Sequence, residues 1–500
     1  MRAPRRQFLR SAAGTATLLG LGDLTFLSRL TPVSAAEADV KPDRVQFRPE
    51  IEPLVRLIED TSRDKLLEEI GARIRRGLSY RDVLTALLLA GVRNIQPRPI
   101  GFKFHAVLVV NSAHLASLAS PDSERWLPIF WALDHFKSSQ AQDVKEGDWT
   151  MGAVPDAKVP SAHKARQAFI DAMDKWDEPG ADAAVAGLAR SASAHEIFGI
   201  FAKYGARDFR DIGHKAIYVA NSWRTLQCIG WQHAEPVLRS LAYGLLDHRN
   251  DPNPATSDLP ADRPGRRNWE LKDEIRADWL DGKPNSDATR ELLGVIRDNS
   301  SADASKKVIE MLNRGVAPQS AWDAVFAGAG ELLMRAPGIQ SLHAVTTSNA
   351  LHFAWDQTRD DALRKYLLLQ AASFVPLFRG QPKGKSRIDE IEPAKQDEPA
   401  SVQDILAEIS ENRNTACEKL LARLNKTSNP KEFADAARLV LFFKGRDAHD
   451  YKFSSAVLED WENMSPGWRE RYLAASVFQL KGSGGADNDV VKRTRAALAG

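Results

Sequence analysis

The chain has 500 residues and carries 68 Lys and Arg against 66 Asp and Glu. That balance excludes the strongly basic face that nucleic-acid binding needs. Two cysteines exclude a disulfide framework, and no apolar run beyond the first thirty residues reaches the roughly 18 needed for a membrane span.

Taken in chain order, the first element is a signal. Arg5-Arg6 followed by Phe8-Leu9 and an interrupted apolar stretch has the form of a twin-arginine export peptide, with small residues near 33–38 as cleavage sites. Residues 1–38 are therefore expected to be removed, which places the mature protein in the periplasm or outside the cell, with the twin-arginine translocase as a transient partner. Beyond them, apolar residues recur at three-and-four spacing almost throughout, as at Leu54, Leu57 and Ile58, or Leu420, Leu421 and Leu424. No alternating strand pattern with hairpin turns interrupts this, so the fold is expected to be all-α. Residues 39–250 read as a first helical half of two units, 251–303 as a proline-rich linker or insert, 304–482 as a second half of two units, and 483–500 as a loose tail. Cys228 and Cys417 sit in helical patterns and read as free thiols.

One repeat organises the rest. The segment 105–116 recurs as 343–354, with six of twelve positions identical and a separation of 238 residues. A fainter copy covers 215–224, and a weak one begins at His449. Copied supersecondary units bury a shared core by stacking, so four related helical units in a toroid or bundle-like array are expected. The third helix of each unit then begins near His105, His214, His343 or His449.

These helices carry the candidate site. Asn111 and His114, three residues apart, share a helix face, as do Asn349 and His352, and Asn221 and Arg224. His105 and His114, nine apart, do not. His214, Tyr218, Asn221 and Thr225 form one polar stripe on an otherwise apolar helix, which must face water or a satisfied buried network. If equivalent positions converge, His105, His214, His343 and His449 meet at one axis. They can then bind a transition metal through neutral imidazoles. Without metal they can move protons for a polarised carbonyl or phenol while the asparagines donate to an oxyanion. A third alternative is structural: repeated His and Asn side chains serve as caps and loop ties. Trp231 and His233, before the first-turn Pro236, can line a pocket mouth. No Walker loop, serine-hydrolase elbow or haem-attachment sequence occurs.

The pieces His343-Ala-Val-Thr-Thr with Ala350-Leu351, His105 to His114-Leu115, and Asp447-Ala448-His449 resemble the questin-oxidase-like proteins. The resemblance covers scattered parts of about half the mature chain. It implies an all-helical oxidoreductase that opens polycyclic quinone rings in the manner of a Baeyer–Villiger reaction with reduced nicotinamide, and it points to His105, His114, His343 and His449. An exported enzyme has no ready NADPH, so the export signal and that cofactor conflict. The expectation is thus an exported oxidoreductase acting on an aromatic or carbonyl small molecule in a His/Asn-lined cavity. Its rival is a non-catalytic helical scaffold for a periplasmic partner or glycan. They differ in whether the His/Asn faces border a cavity or are filled by neighbouring side chains.

Overall fold

Helices dominate because nearly every stretch between caps has a period near 3.6 and no β-branched run long enough to compete. The computed structural model describes residues 44–246, 251–381, 384–395, 397–427 and 429–499, and the expected export signal lies outside them. Among the described residues the architecture is all-α without strands. An isolated bridge joins Lys283 and Val316. The first group of helices is α1 (Glu52–Asp60), α2 (Arg63–Arg75), α3 (Tyr80–Asn94), α4 (His105–Ala119) and α5 (Leu127–Glu146). Next come α6 (Ala162–Lys175), α7 (Glu178–Ser191), α8 (Ala194–Gly205), α9 (His214–Ile229) and α10 (Ala234–Leu245). The third group is α11 (Arg263–Leu271), α12 (Ser286–Asp298), α13 (Ser301–Asn313), α14 (Pro318–Arg335), α15 (Ile339–Gln357) and α16 (Asp361–Phe378). The last is α17 (Val402–Glu411), α18 (Arg413–Thr427), α19 (Pro430–Lys444), α20 (Ala448–Asp460), α21 (Trp468–Ala475) and α22 (Asp489–Ala499). No helix is long and apolar enough to cross a membrane among the described residues.

Four helices form the centre. α4 packs on α9 and α20, and α15 packs on the same two, so each touches two others in a closed cycle. Their sequences explain the position. α4 contains no Asp, Glu, Lys or Arg and is buried on nearly all sides; α15 is buried continuously from Ser341 to Leu351. A helix apolar all round must be enclosed by others. The enclosing helices are α3 and α5 around α4, α8 and α10 around α9, α14 and α16 around α15, and α19 beside α20.

Two segments differ from the sequence expectation. Residues 251–303 are not a plain linker: Pro264 occupies the first turn of α11, which packs on α13 and α16, and α12 packs on α14. Proline there starts a helix rather than breaking one. The end of the chain is pinned, because α22 packs on α2 and α5, burying Val491, Thr494 and Ala497, while Arg493 donates to Asp134 at 2.6 Å. Cys228 and Cys417 are both free thiols.

Caps mark the helix starts as the Ser and Pro positions predict. Ser79 and Ser193 accept from the third helical N–H, and Pro318 and Pro430 lie in first turns. Ser300 and Asp303 form a reciprocal capping box at α13. Ser300→Ala is expected to cost about 1 kcal/mol, measurable by urea denaturation, with no change in fold.

Candidate functional site

Four equivalent side chains converge near the starts of the central helices. Left-handed backbone precedes three of them: Gly101 (φ 132°) and Phe102 (46°) before α4, Ile212 (49°) and Gly213 (83°) before α9, and Gly338 (151°) before α15. A β-branched residue such as Ile212 is a true outlier there, and such strain concentrates where a site must be held in place. Gly213 has no alternative, because a Cβ on it would lie 2.0 Å from Thr347 Oγ1.

The result is a buried cluster of nitrogen atoms. His105 Nε2 and His343 Nε2 each lie 3.0 Å from His214 Nε2. Lys452 Nζ, from α20, lies 3.0 Å from the same atom. All four side chains are nearly inaccessible to water. His214 Nδ1 faces the Asp211 carbonyl at 2.8 Å and His343 Nδ1 faces the Ile339 carbonyl at 2.7 Å. A carbonyl only accepts, so each Nδ1 carries the proton and each Nε2 presents a lone pair. The His214 lone pair accepts from Lys452 Nζ, and the His343 Nε2 lone pair lies against the same His214 nitrogen at 3.0 Å. A proton delivered between the two imidazoles turns a repulsive contact into an N–H···N bond, so the pair is a proton acceptor assembled in advance.

Electrostatics keep the acceptor empty near neutrality. Burial, then the neighbouring Lys452, push His105, His214 and His343 well below the ordinary imidazole value. Burial pushes the Lys452 ammonium down to about 7, while Asp447 pulls weakly the other way. The cluster therefore holds an amine poised at neutral pH beside neutral imidazoles, the combination that proton transfer favours.

Lys452 is the residue that sequence reasoning missed. It stands 238 residues after His214, the separation that also relates His105 and His343. Aligned this way, Val219 pairs with Val457 and Trp223 with Trp461. The fourth equivalent of the histidines is thus a lysine, one turn beyond His449. His449 instead stands at the rim. Its half-buried ring is 4.5 Å from that of His105 and 5.7 Å from that of His343. Asp447 caps α20, accepting from the N–H groups of His449 and Asp450, and its Oδ1 is 3.5 Å from His449 Nδ1. His449 and those cap bonds hold its carboxyl down at about 2.

Further along the helices a second polar layer ties them together. Asn221 Nδ2 donates to the Leu108 carbonyl at 3.0 Å, and Asn111 Nδ2 approaches Asn221 Oδ1 at 3.5 Å. Arg224 donates to Asn349 Oδ1 at 3.1 Å and grips Glu459 at 2.9 and 3.1 Å. Asn349 Nδ2 donates to Asp460 Oδ1 at 2.6 Å, and Tyr472 donates to Asp460 Oδ2 at 2.9 Å. The asparagines are thus engaged between helices, two turns away from the imidazoles.

The other sequence candidates lie elsewhere. His114 Nδ1 bonds Tyr80 Oη at 3.0 Å. His352 is packed among Trp322, Phe326 and Trp355, and burial lowers it to about 4. Tyr218 donates to Ser240 at 2.7 Å on α10. Trp231 packs edge-on to Trp223 at 5.4 Å, and His233 is buried before α10. Repetition singled out His114 and His352 as strongly as His105 and His343, but the nine-residue spacing turns them to outer faces.

A metal reading finds no support in this geometry. Among the described residues no group of three or more His, Cys, Asp or Glu side chains is arranged to hold a metal ion. The Lys452 ammonium also competes for the His214 lone pair that a metal would need.

A cleft of about 570 Å³ is lined by Arg63, Trp131, His135, Arg446 and Arg493 among others, and none of the four cluster side chains borders it. Trp131 stacks on Tyr451, the neighbour of Lys452, with ring centroids 3.5 Å apart. His135 Nε2 is buried there with no hydrogen-bond partner, and burial holds its ring neutral with a pKa of about 4. The chain matches no protein-family model, no curated protein and no solved structure.

Proposed function

We propose that the chain is an exported enzyme of oxidoreductase type, acting on a small aromatic or carbonyl compound, with the His105–His214–His343–Lys452 cluster as its proton acceptor. The observation that carries this reading is the His343 Nε2 lone pair set against His214 Nε2, with an amine poised near 7 beside them. Such an arrangement is unfavourable as packing and useful for receiving a proton. The redox assignment rests on the questin-oxidase-like resemblance, and export rests on Arg5-Arg6; the cluster supports the proton-transfer half. In that half a phenolic O–H bond breaks, the electron pair stays on oxygen, and the proton is relayed past His449, whose ring lies 4.5 Å from that of His105, to an imidazole Nε2 inside the cluster. His449 and Asp447 form the half-exposed link to solvent, and the cleft beside Trp131 and His135 is where the substrate docks.

The test uses purified protein and hydroxylated quinones of graded size, following oxygen uptake and absorbance. Turnover is expected, and His343→Gln should lower it by about 100-fold or more with a melting temperature close to wild type. Turnover unchanged in His343→Gln overturns the assignment. Absence of turnover together with a large loss of stability in that variant supports the scaffold instead.

A further inference from the structure

A cavity of about 600 Å³ runs along α8, between α6 and the turn from α15 to α16. Ile170 of α6, Gly199 and Ile200 of α8, and Leu363 of α16 give it an apolar floor. Gly199 is the unusual member. Glycine inside a helix costs stability relative to alanine, so a fold that keeps one needs a reason. In other helices packing supplies it: a Cβ on Gly91, Gly205 or Gly328 would lie 2.7–2.8 Å from a neighbouring side chain. A Cβ on Gly199 would meet only Leu363 Cδ2, at 3.9 Å, which is ordinary contact. Packing does not exclude a side chain here, and what its absence gives is depth in the cavity.

Lys203, one turn beyond Gly199, closes one end. It is half-buried, and its Nζ sits 4.2 Å over the Trp269 ring with no ion pair or hydrogen bond among the described residues. Lys272 Nζ shares that ring at 4.5 Å but is paired with Asp273 at 2.9 Å. The indole therefore holds two ammonium groups in place, and the N–H donors of Lys203 remain for another partner. Burial pushes Lys203 below its ordinary value; Asp174 pulls it up, Arg207 and Lys272 push it down, and Asp360 pulls it up. Both carboxylates are engaged elsewhere: Asp174 accepts from Tyr204 at 2.8 Å, and Asp360 caps α16, accepting from the Leu363 N–H at 2.8 Å. At the other end Arg166 and Glu196 neutralise one another at 2.9 Å. Arg166, Lys203 and Arg359 thus face Glu196 and Asp360 across the cavity, an excess of one cation that suits a monoanion. From Glu196 to Lys203 the helix advances roughly 10 Å, the length of an extended chain of about eight carbons. We propose that this cavity binds a medium-chain aliphatic carboxylate, its carboxylate accepting from Lys203 Nζ and its chain lying over Gly199 toward the Arg166–Glu196 pair. This site is independent of the imidazole cluster and of the reaction proposed for it.

Calorimetric titration of the purified chain with octanoate, hexanoate, octanamide and inorganic phosphate tests the proposal. Octanoate is expected to bind with Kd of about 0.1–1 mM, hexanoate ~10-fold more weakly for its two missing methylenes, octanamide at least ~10-fold more weakly, and phosphate not measurably. Lys203→Gln should weaken octanoate about 10-fold. Gly199→Leu should fill the cavity and abolish binding up to ~10 mM, with a melting temperature at or above that of wild type, because leucine is the better helix former. Gly199→Leu carries the test if Lys203→Gln fails to fold. No octanoate binding up to ~10 mM in the wild type, equal affinity for octanamide, phosphate binding in place of octanoate, or unchanged octanoate affinity in either variant overturns the assignment. So does a Gly199→Leu chain less stable than wild type, since packing would then account for the glycine.

Discussion

Replacing Lys452 with methionine should make the protein more stable and inactive. The ammonium is 2% exposed, and its contact in the cluster is with an imidazole rather than a carboxylate. Burial lowers it from 10.5 to about 7. Its folded value lies below its unfolded value, so the wild type loses stability as pH falls from about 10.5 to about 7. Below that window the full penalty applies, roughly 5 kcal/mol from the shift and about 2–4 kcal/mol once relaxation of the site is allowed for. Lys452→Met has similar length and no charge to bury, so its melting temperature should rise by ~3–5 °C at pH 7. The gain should shrink as pH approaches 10.5 and vanish above it, where the wild-type amine is neutral in both states. Turnover should fall about 100-fold or more, because the imidazoles lose the amine that receives their proton. Scanning calorimetry at pH 7 and 10 and one turnover assay decide the matter. A destabilised but active variant would mean that the lysine is a packing element with partners it needs.

A residue expected to stabilise on removal is a sign that the fold retains it for chemistry, and this bears on how much the sequence could reveal. The imidazole positions were legible because copied segments return equivalent side chains to equivalent places, and His105, His214 and His343 do meet. Lys452 was concealed by its identity. A search for the fourth histidine stops at His449, while the constant separation from His214 leads to the lysine. His114 and His352 illustrate the converse, since repetition marks equivalent packing as readily as equivalent function, and each stacks in its own aromatic surroundings. Asn221 was legible in a polar stripe, and Asn111 and Asn349 as face partners of His114 and His352, but none as an inter-helix tie, because partners such as Leu108, Glu459 and Asp460 belong to neighbouring helices whose approach depends on tertiary packing. In 251–303 the prolines Pro252, Pro254 and Pro260 hid two helices, although Pro264 stands where a first-turn proline belongs.

Acid should unfold this protein steeply and early. Burial is the leading cause that holds seven imidazoles below their ordinary value: His135 and His352 at about 4, His105, His214 and His343 well below 6.5, and His114 and His233 below it as well. Each stays neutral in the folded chain and becomes protonated in the unfolded chain once pH drops below about 6.5, so each withdraws stability as pH falls from 6.5 toward its folded value. Two carboxyls act in the opposite sense. Burial raises Asp460 well above the ordinary carboxylate range and raises Asp323 as well, so both retain protons in the folded chain that the unfolded chain releases. His135 and His352 alone give the unfolded state an excess of nearly two protons near pH 5, equivalent to ~2–3 kcal/mol per pH unit, and the cluster imidazoles outnumber the two carboxyls that oppose them. Folded domains hold only about 5–15 kcal/mol in reserve, so two pH units below neutrality should consume much of it. Asp447, held at about 2, adds nothing in this window, because its contribution is lost only as pH falls from 3.8 toward 2. Urea midpoints measured between pH 7.5 and about 4.5 should fall with that slope. His352→Phe should reduce it by the share of one proton, ~1.4 kcal/mol per pH unit, without touching the cluster. A flat profile down to pH 5 would mean that these imidazoles already hold protons in the folded chain, and the proton-acceptor assignment for His214 and His343 would fall with it.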